Sequence, residues 1–267
     1  HRLTCAIEDA GWEIRDCLQW IYGSGFPKSH NHIGIEGYGT ALKPAYEPIL
    51  FCMKPCDGTF AQNAEKWGQA GINIDECRIP TNDNRGRINH IEPGFCGGWG
   101  AKNTENHPNG RWPANVIFDE EAAQVLDEQS GECKPPGNRS KSFGNSIYSS
   151  QITTFNEPGR NCYPGQKGGA SRFFYCAKTS PSERGKDNKH PTVKPIKLME
   201  YLLKLVMPPS SGIVLDPFAG SGSTIVAAKR LGFKAIGIEK EKEYFEIAEK
   251  RVENAKFEPV QLEMKVV

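Results

Sequence analysis

The 267-residue sequence predicts an α/β fold: part of a Rossmann-like parallel sheet, interrupted by a long loop-rich insert. Two short apolar runs predict the sheet, Ile213-Val214-Leu215 and Lys234 to Ile238, each followed by a stretch with apolar residues at helical spacing. Together they read as one βαβα unit with a right-handed crossover. The insert shows in composition, because residues 58 to 170 hold 16 of the 28 glycines and 8 of the 19 prolines.

In chain order, Leu3 to Ala10 reads as a helix ended by Gly11, followed by β-prone segments at Glu13 to Tyr22 and Pro48 to Met53. The loop-rich zone is expected to hold short strands such as Asn115 to Phe118, with a helix at Glu120 to Gln129 as its exception. Pro195 opens a helix carrying Ile196, Met199, Leu202, Leu203 and Val206, and Pro208-Pro209 stops it. After the first strand, Asp216 to Gly222 turns into a helix from about Ser223 to Leu231, closed by Gly232. The second strand ends in Glu239, and Tyr244, Ile247, Ala248, Arg251 and Val252 mark the last helix.

Composition excludes several classes. Hydrophobic residues are 37% and charged residues 24%, an ordinary globular balance. The most apolar stretch, Leu202 to Met207, contains Lys204 and is far short of the roughly 18 residues a membrane span needs, so no membrane partner is expected. The start, His1-Arg2-Leu3-Thr4-Cys5, lacks a signal-peptide core and an initiating Met, so an upstream segment is expected. Nine cysteines without a secretory signal suit the reducing cytoplasm and mostly free, buried thiols. Cys52 and Cys56 form the one tight pair, and with no second close pair a metal site is not expected.

Charge is uneven. The net is +1 overall, but residues 134 to 205 carry +9 and the remainder −8. Such a stretch suits a polyanion, since phosphate neutralisation supplies most sequence-independent nucleic-acid affinity; a solvated lysine-rich surface has the same charge pattern.

A glycine pair at the carboxyl end of a strand, opening into a helix, lets a ligand approach backbone N–H groups at the positive helix terminus. Glu239 lies nineteen residues beyond Gly220, at the tip of the next strand, where doubly wound folds place a carboxylate against ribose hydroxyls. Asp216 at the first strand tip disfavours a phosphate there and favours a cationic amino or sulfonium group. Phe218 stands equally as a ring against that ligand or as a core residue.

The segment His190-Pro191-Thr192-Val193-Lys194-Pro195, followed by Leu215 to Thr224 and Gly237-Ile238-Glu239, resembles the C-terminal half of bacterial and phage DNA amino-methyltransferases of the permuted β type. Gly37 to Pro44 with Glu47-Pro48, and Ser171 to Cys176, extend the resemblance upstream. The resemblance implies methyl transfer from S-adenosylmethionine to N6 of adenine or N4 of cytosine in duplex DNA, in a bacterial or phage-infected cytoplasm. It implies that Asp216, Phe218, Gly220, Ser221 and Gly222 form the pocket for the methionine end, that Glu239 holds the ribose, and that Lys194 meets the cofactor carboxylate. For Lys194 a solvated lysine at a helix start stays open, and His190 reads as structural. Residues 1–57 would then be the first part of the methyltransferase core, 58–187 a target-recognition insert, and 188–267 the part that binds the cofactor.

These enzymes carry a reaction loop of Asp, Asn or Ser, then Pro-Pro and an aromatic residue. The two Pro-Pro pairs here, Lys134-Pro135-Pro136-Gly137 and Met207-Pro208-Pro209-Ser210, have neither the polar acceptor nor the ring. In the permuted order the loop is expected upstream of residue 1, in a missing segment or a second chain, so these residues alone are expected to be inactive. The competing reading is a non-catalytic DNA-binding module on the same scaffold.

Overall fold

In strand β1 (Glu13–Ile21), Leu18 and Trp20 are buried while Gln19 between them is exposed, the period of two that a strand packed on one face requires. The computed structural model describes residues 1–25, 29, 36, 38–69, 71–81, 109–132, 168–178, 188, 193–208 and 212–257. Strand β2 (Tyr46–Met53) pairs antiparallel with β1, placing Trp20 opposite Glu47, with an irregularity in register between Ile14 and Asp16. On its other edge β1 runs parallel to β3 (Val116–Asp119), and β3 runs parallel to β4 (Tyr175–Ala177). The sheet order is β2-β1-β3-β4. It therefore joins two strands from residues 1–57 with two from residues 58–187.

Helix α1 (Arg2–Asp9) precedes β1. Helix α2 (Phe60–Trp67), which is not among the predicted elements, starts at a capping box. The Thr59 hydroxyl accepts the Gln62 N–H, the Gln62 side chain accepts the Thr59 N–H at 2.9 Å, and Gly68 closes the helix in the left-handed region. Helix α3 (Glu120–Ser130) begins on Asp119, whose carboxylate accepts the Ala122 N–H at 2.7 Å.

Helix α4 (Ile196–Val206) is apolar nearly all round because it is shared by two cores. Leu198, Tyr201 and Leu205 pack with Leu18, Trp20, Ile117 and Ala177 of the four-stranded sheet and with Cys77 of the short turn Asp75–Cys77, and Tyr201 stacks on Tyr175 at 4.0 Å between ring centroids. Ile196 and Leu203 pack with Val214, Val226, Ala227 and Ala228. The one carboxylate buried in α4, Glu200, is satisfied by Lys197 at 2.8 Å and by Arg230 at 3.5 Å.

The second core belongs to the predicted βαβα unit. Strands β5 (Ile213–Asp216) and β6 (Lys234–Gly237) run parallel, joined by α5 (Ser223–Arg230) and followed by α6 (Lys242–Asn254). The face away from that core leaves Ile213, Leu215 and Ile236 exposed.

One expectation changes. The six described cysteines are free, as expected, but only Cys77 is buried; Cys5 is exposed and the other four are half-buried. The five that are not buried lie on helix α1 (Cys5), strands β1, β2 and β4 (Cys17, Cys52, Cys176) and a loop (Cys56), where a small thiol needs no full enclosure. Among the described residues no helix is long and apolar enough to cross a membrane, and no three His, Cys, Asp or Glu side chains converge on a metal position.

Candidate functional site

Where β5 and β6 end, their pairing continues into the turn. Asp216 stands opposite Gly237, its carbonyl accepts the Ile238 N–H at 2.9 Å, and the Ile238 carbonyl accepts the Ala219 N–H at 2.9 Å. The Asp216 carboxylate accepts the Phe218 N–H at 3.1 Å, a local bond that bends the chain out of the strand. Gly220 (φ 52°) and Gly222 (φ 78°) take left-handed conformations, and the Gly222 carbonyl accepts the first bond of α5 from Val226.

The turn meets Glu239 directly. One carboxylate oxygen accepts the Gly220 N–H at 2.7 Å and the other accepts the Glu241 N–H at 2.9 Å. Two carboxylates thus flank the start of α5, which has no side-chain cap. Such a site repels a phosphate and suits a ligand that brings cationic and hydroxyl groups.

Six of the seven residues expected at the site come together here: Asp216, Phe218, Gly220, Ser221, Gly222 and Glu239. Phe218 is 89% exposed, which removes the core reading and leaves its ring open beside the turn. Ser221 and Ser223 are buried, and their hydroxyls face Arg251 of α6, at 2.9 Å and 3.3 Å from one guanidinium nitrogen. A Cβ on Gly222 would stand 2.9 Å from Cβ of Ala248, so this glycine admits α6 as well as the turn. Arg251 is the residue that motif reading overlooked; its signal was a charged side chain on the otherwise apolar stripe of α6.

Lys194 sits elsewhere. Its ammonium pairs with Glu47 of β2 at 2.5 Å and lies 5.7 Å from the Trp20 ring centroid, both on the four-stranded sheet. His190 and Gly37 lie outside the described residues.

The Ser171–Cys176 segment is held by an arginine pair. Arg172 and Arg111 lie 4.3 Å and 4.4 Å from the Phe173 ring centroid, and Arg111 donates to the Arg172 carbonyl at 3.0 Å. Burial, then the neighbouring Arg172, lower the affinity of Arg111 for its proton. A groove of about 800 Å³, lined by Ile72, Trp112, Met207 and Phe233, lies at the opposite ends of β5 and β6, away from the carboxyl ends where open α/β sheets bind ligands.

A parallel βαβ unit with a glycine turn at its carboxyl end and an acidic residue on the next strand tip places the chain in the doubly wound class of α/β proteins. Residues 1–250 match the DNA methylase family model, and the chain belongs to that family. It is 54% identical over 65 residues to the Type II methyltransferase M2.DpnII of Streptococcus pneumoniae, a match covering 24% of each chain. Over 86 residues it is 42% identical to the Type II methyltransferase M.HinfI of Haemophilus influenzae, covering 31% of this chain and 24% of that one. The matched segments thus span about a quarter of these relatives. A crystal structure of the M1.HpyAVI–SAM complex aligns with a TM-score of 0.41 at 20% identity, covering 94% of this chain and 67% of that one.

Proposed function

We propose that the Asp216–Gly222 turn and Glu239 hold S-adenosylmethionine, and that the chain serves methyl transfer to an exocyclic amine of adenine (N6) or cytosine (N4) in duplex DNA. The observation that carries this reading is the Glu239 carboxylate on the Gly220 amide, with Asp216 on the neighbouring strand tip. These residues fit the donor: Glu239 places a carboxylate for ribose hydroxyls, Asp216 offers a counter-charge to an amino or sulfonium group, and Phe218 presents an open ring. When bound, the donor would supply an activated methyl group. The chain's part is to hold it in line with the target amine.

Lys194, already paired with Glu47, would reach a cofactor carboxylate only by leaving that partner. The basic excess in residues 134–205 supports residues 58–187 as the recognition region for duplex DNA, in the cytoplasm of a bacterium or phage-infected cell. No Asp, Asn or Ser followed by Pro-Pro and an aromatic residue occurs among the 267 residues, so methyl transfer would require a polypeptide that carries this reaction loop, and donor affinity in its absence would be weak.

Amide resonances of the ¹⁵N-labelled 267-residue protein, titrated with S-adenosylmethionine, test the reading. Shifts confined to residues 216–222 and 239–241 are expected. Resonances that stay unmoved there at millimolar donor would sink it. Labelled methyl groups should enter duplex DNA only after a polypeptide carrying the reaction loop is added.

A further inference from the structure

Helix α6 touches the glycine turn twice. Ala248 fills the space left by the missing side chain of Gly222. One turn further along the same face, Arg251 donates to the Ser221 carbonyl, to the Ser221 hydroxyl at 2.9 Å, and to the Ser223 hydroxyl at 3.3 Å from one nitrogen and 3.4 Å from the other. The guanidinium thus grips both sides of Gly222, from a helix that begins only after Glu239 in sequence.

The burial of the two serines makes this grip consequential. At 3% and 8% exposure, neither hydroxyl is available to a ligand, so the turn offers a ligand its backbone and not these side chains. Backbone amides recognise well only when held still. Gly220 and Gly222 are the residues with the most conformations to lose, and α5 begins without a side-chain cap to fix its first turn. From the β6–α6 side the turn is restrained by Arg251 and the Glu239 bond to Gly220, beside the Ile238 bond to Ala219 and the packing of Ala248 on Gly222.

Resting on the donor-binding reading above, we propose that Arg251 is a positioning residue: through Ser221 and Ser223 it holds the Gly220–Ser223 turn in the conformation that receives the methyl donor. It does not touch the donor. A fixed planar fork reaching three oxygens suits arginine, and lysine can reproduce only part of it.

Three variants test the proposal: Arg251→Met, Arg251→Lys, and the double variant Ser221→Ala with Ser223→Ala. Hydrogen exchange of the turn amides, donor titration by amide shifts, and thermal melting are read on each. For Arg251→Met we expect exchange across residues 219–223 to quicken about tenfold, donor affinity to fall about tenfold, and exchange in the middle of α4 to stay unchanged. Arg251→Lys should recover part of both losses. Wild-type exchange and affinity in Arg251→Met would overturn the proposal, as would exchange that quickens uniformly through the protein. Should that variant fail to fold, the serine double variant decides, because it leaves the Arg251 stem packed: a quickened turn supports the proposal and an unchanged one overturns it. If the unaltered protein shows no donor shifts, the functional reading falls and the proposal as a donor-positioning role falls with it. If it binds donor while Arg251→Met binds equally well, the proposal alone falls.

Discussion

The carboxylate of Glu239 accepts the Gly220 N–H at 2.7 Å, tying the tip of β6 to the turn that follows β5. The bond spans nineteen residues and is possible because the two strands are parallel and in register, with Asp216 opposite Gly237. A carboxylate accepting a backbone N–H is a charge-assisted bond, stronger than its neutral counterpart. It also neutralises an orphan donor near the start of α5.

Replacing Glu239 should therefore separate charge from shape. Glu239→Gln keeps an oxygen to accept the Gly220 N–H but loses the charge and the acceptor for the Glu241 N–H, so it should weaken donor binding about tenfold and lower the melting temperature slightly. Glu239→Ala removes the acceptor as well and should add about 1–2 kcal/mol of destabilisation from the unsatisfied amide. Calorimetric melting and donor titration measured side by side check the pair. Equal donor affinity in all three proteins would remove Glu239 from the site.

Gly222→Ala tests the joint between the turn and α6. The new methyl group faces Ala248 at 2.9 Å, and the backbone at φ 78° is one that side chains other than glycine rarely adopt. A loss of about 1–3 kcal/mol is expected from denaturant unfolding. Adding Ala248→Gly relieves the contact but not the backbone strain, so it should restore only part of the loss. Full restoration would show that the backbone at Gly222 is not strained.

The βαβα unit was legible because the apolar period switches from strand to helix and back within a short local stretch, with glycine marking each change at Gly220, Gly222 and Gly232. The site inherited that legibility, since six of its residues lie on the unit's own turn and strand tip. Pairing across long separations was not legible. Lys194 finds Glu47 147 residues away, and β3 joins β1 across about the same order of separation, neither of which any local period encodes. Strand β4 is only three residues long, too short to show a period, and α2, although Phe60, Ala64 and Trp67 recur at helical spacing, is only about two turns long and buries none of them. Thr59-x-x-Gln62 was the available signal for α2, and it is a signal of hydrogen bonding.

Alkaline titration probes the first core. Burial raises the Cys77 thiol from its ordinary 9.0 to about 11, and raises the Tyr175 phenol from 10.0 to about 12. Both groups release protons in the unfolded chain before they do so in the folded protein, so the unfolded state is favoured as pH climbs. Stability owed to these groups should be intact below pH 9 and decline between pH 9 and about 12. Urea midpoints at about pH 8 and about pH 10.5 should differ measurably, and Cys77→Ala should flatten the lower part of that slope. A midpoint independent of pH across this range would mean that neither group is buried as the packing around Tyr201 and Leu198 indicates.

The outer face of β5 and β6 makes the last prediction. Parallel strands are ordinarily covered on both faces, yet Ile213, Leu215, Ile236 and, just beyond β6, Ile238 are all exposed while Val214 and Ala235 face the core. Burial decides the cost of substitution. Leu215→Lys should change unfolding free energy by less than about 0.5 kcal/mol, since its side chain already meets water, and should reduce self-association seen by sedimentation. Val214→Ala, one residue earlier and turned inward, should cost about 1–2 kcal/mol by leaving a gap against Val226 and Ala227. If Leu215→Lys proves the more damaging of the two, that aliphatic face is covered in the working protein, and the polypeptide that covers it is part of the fold.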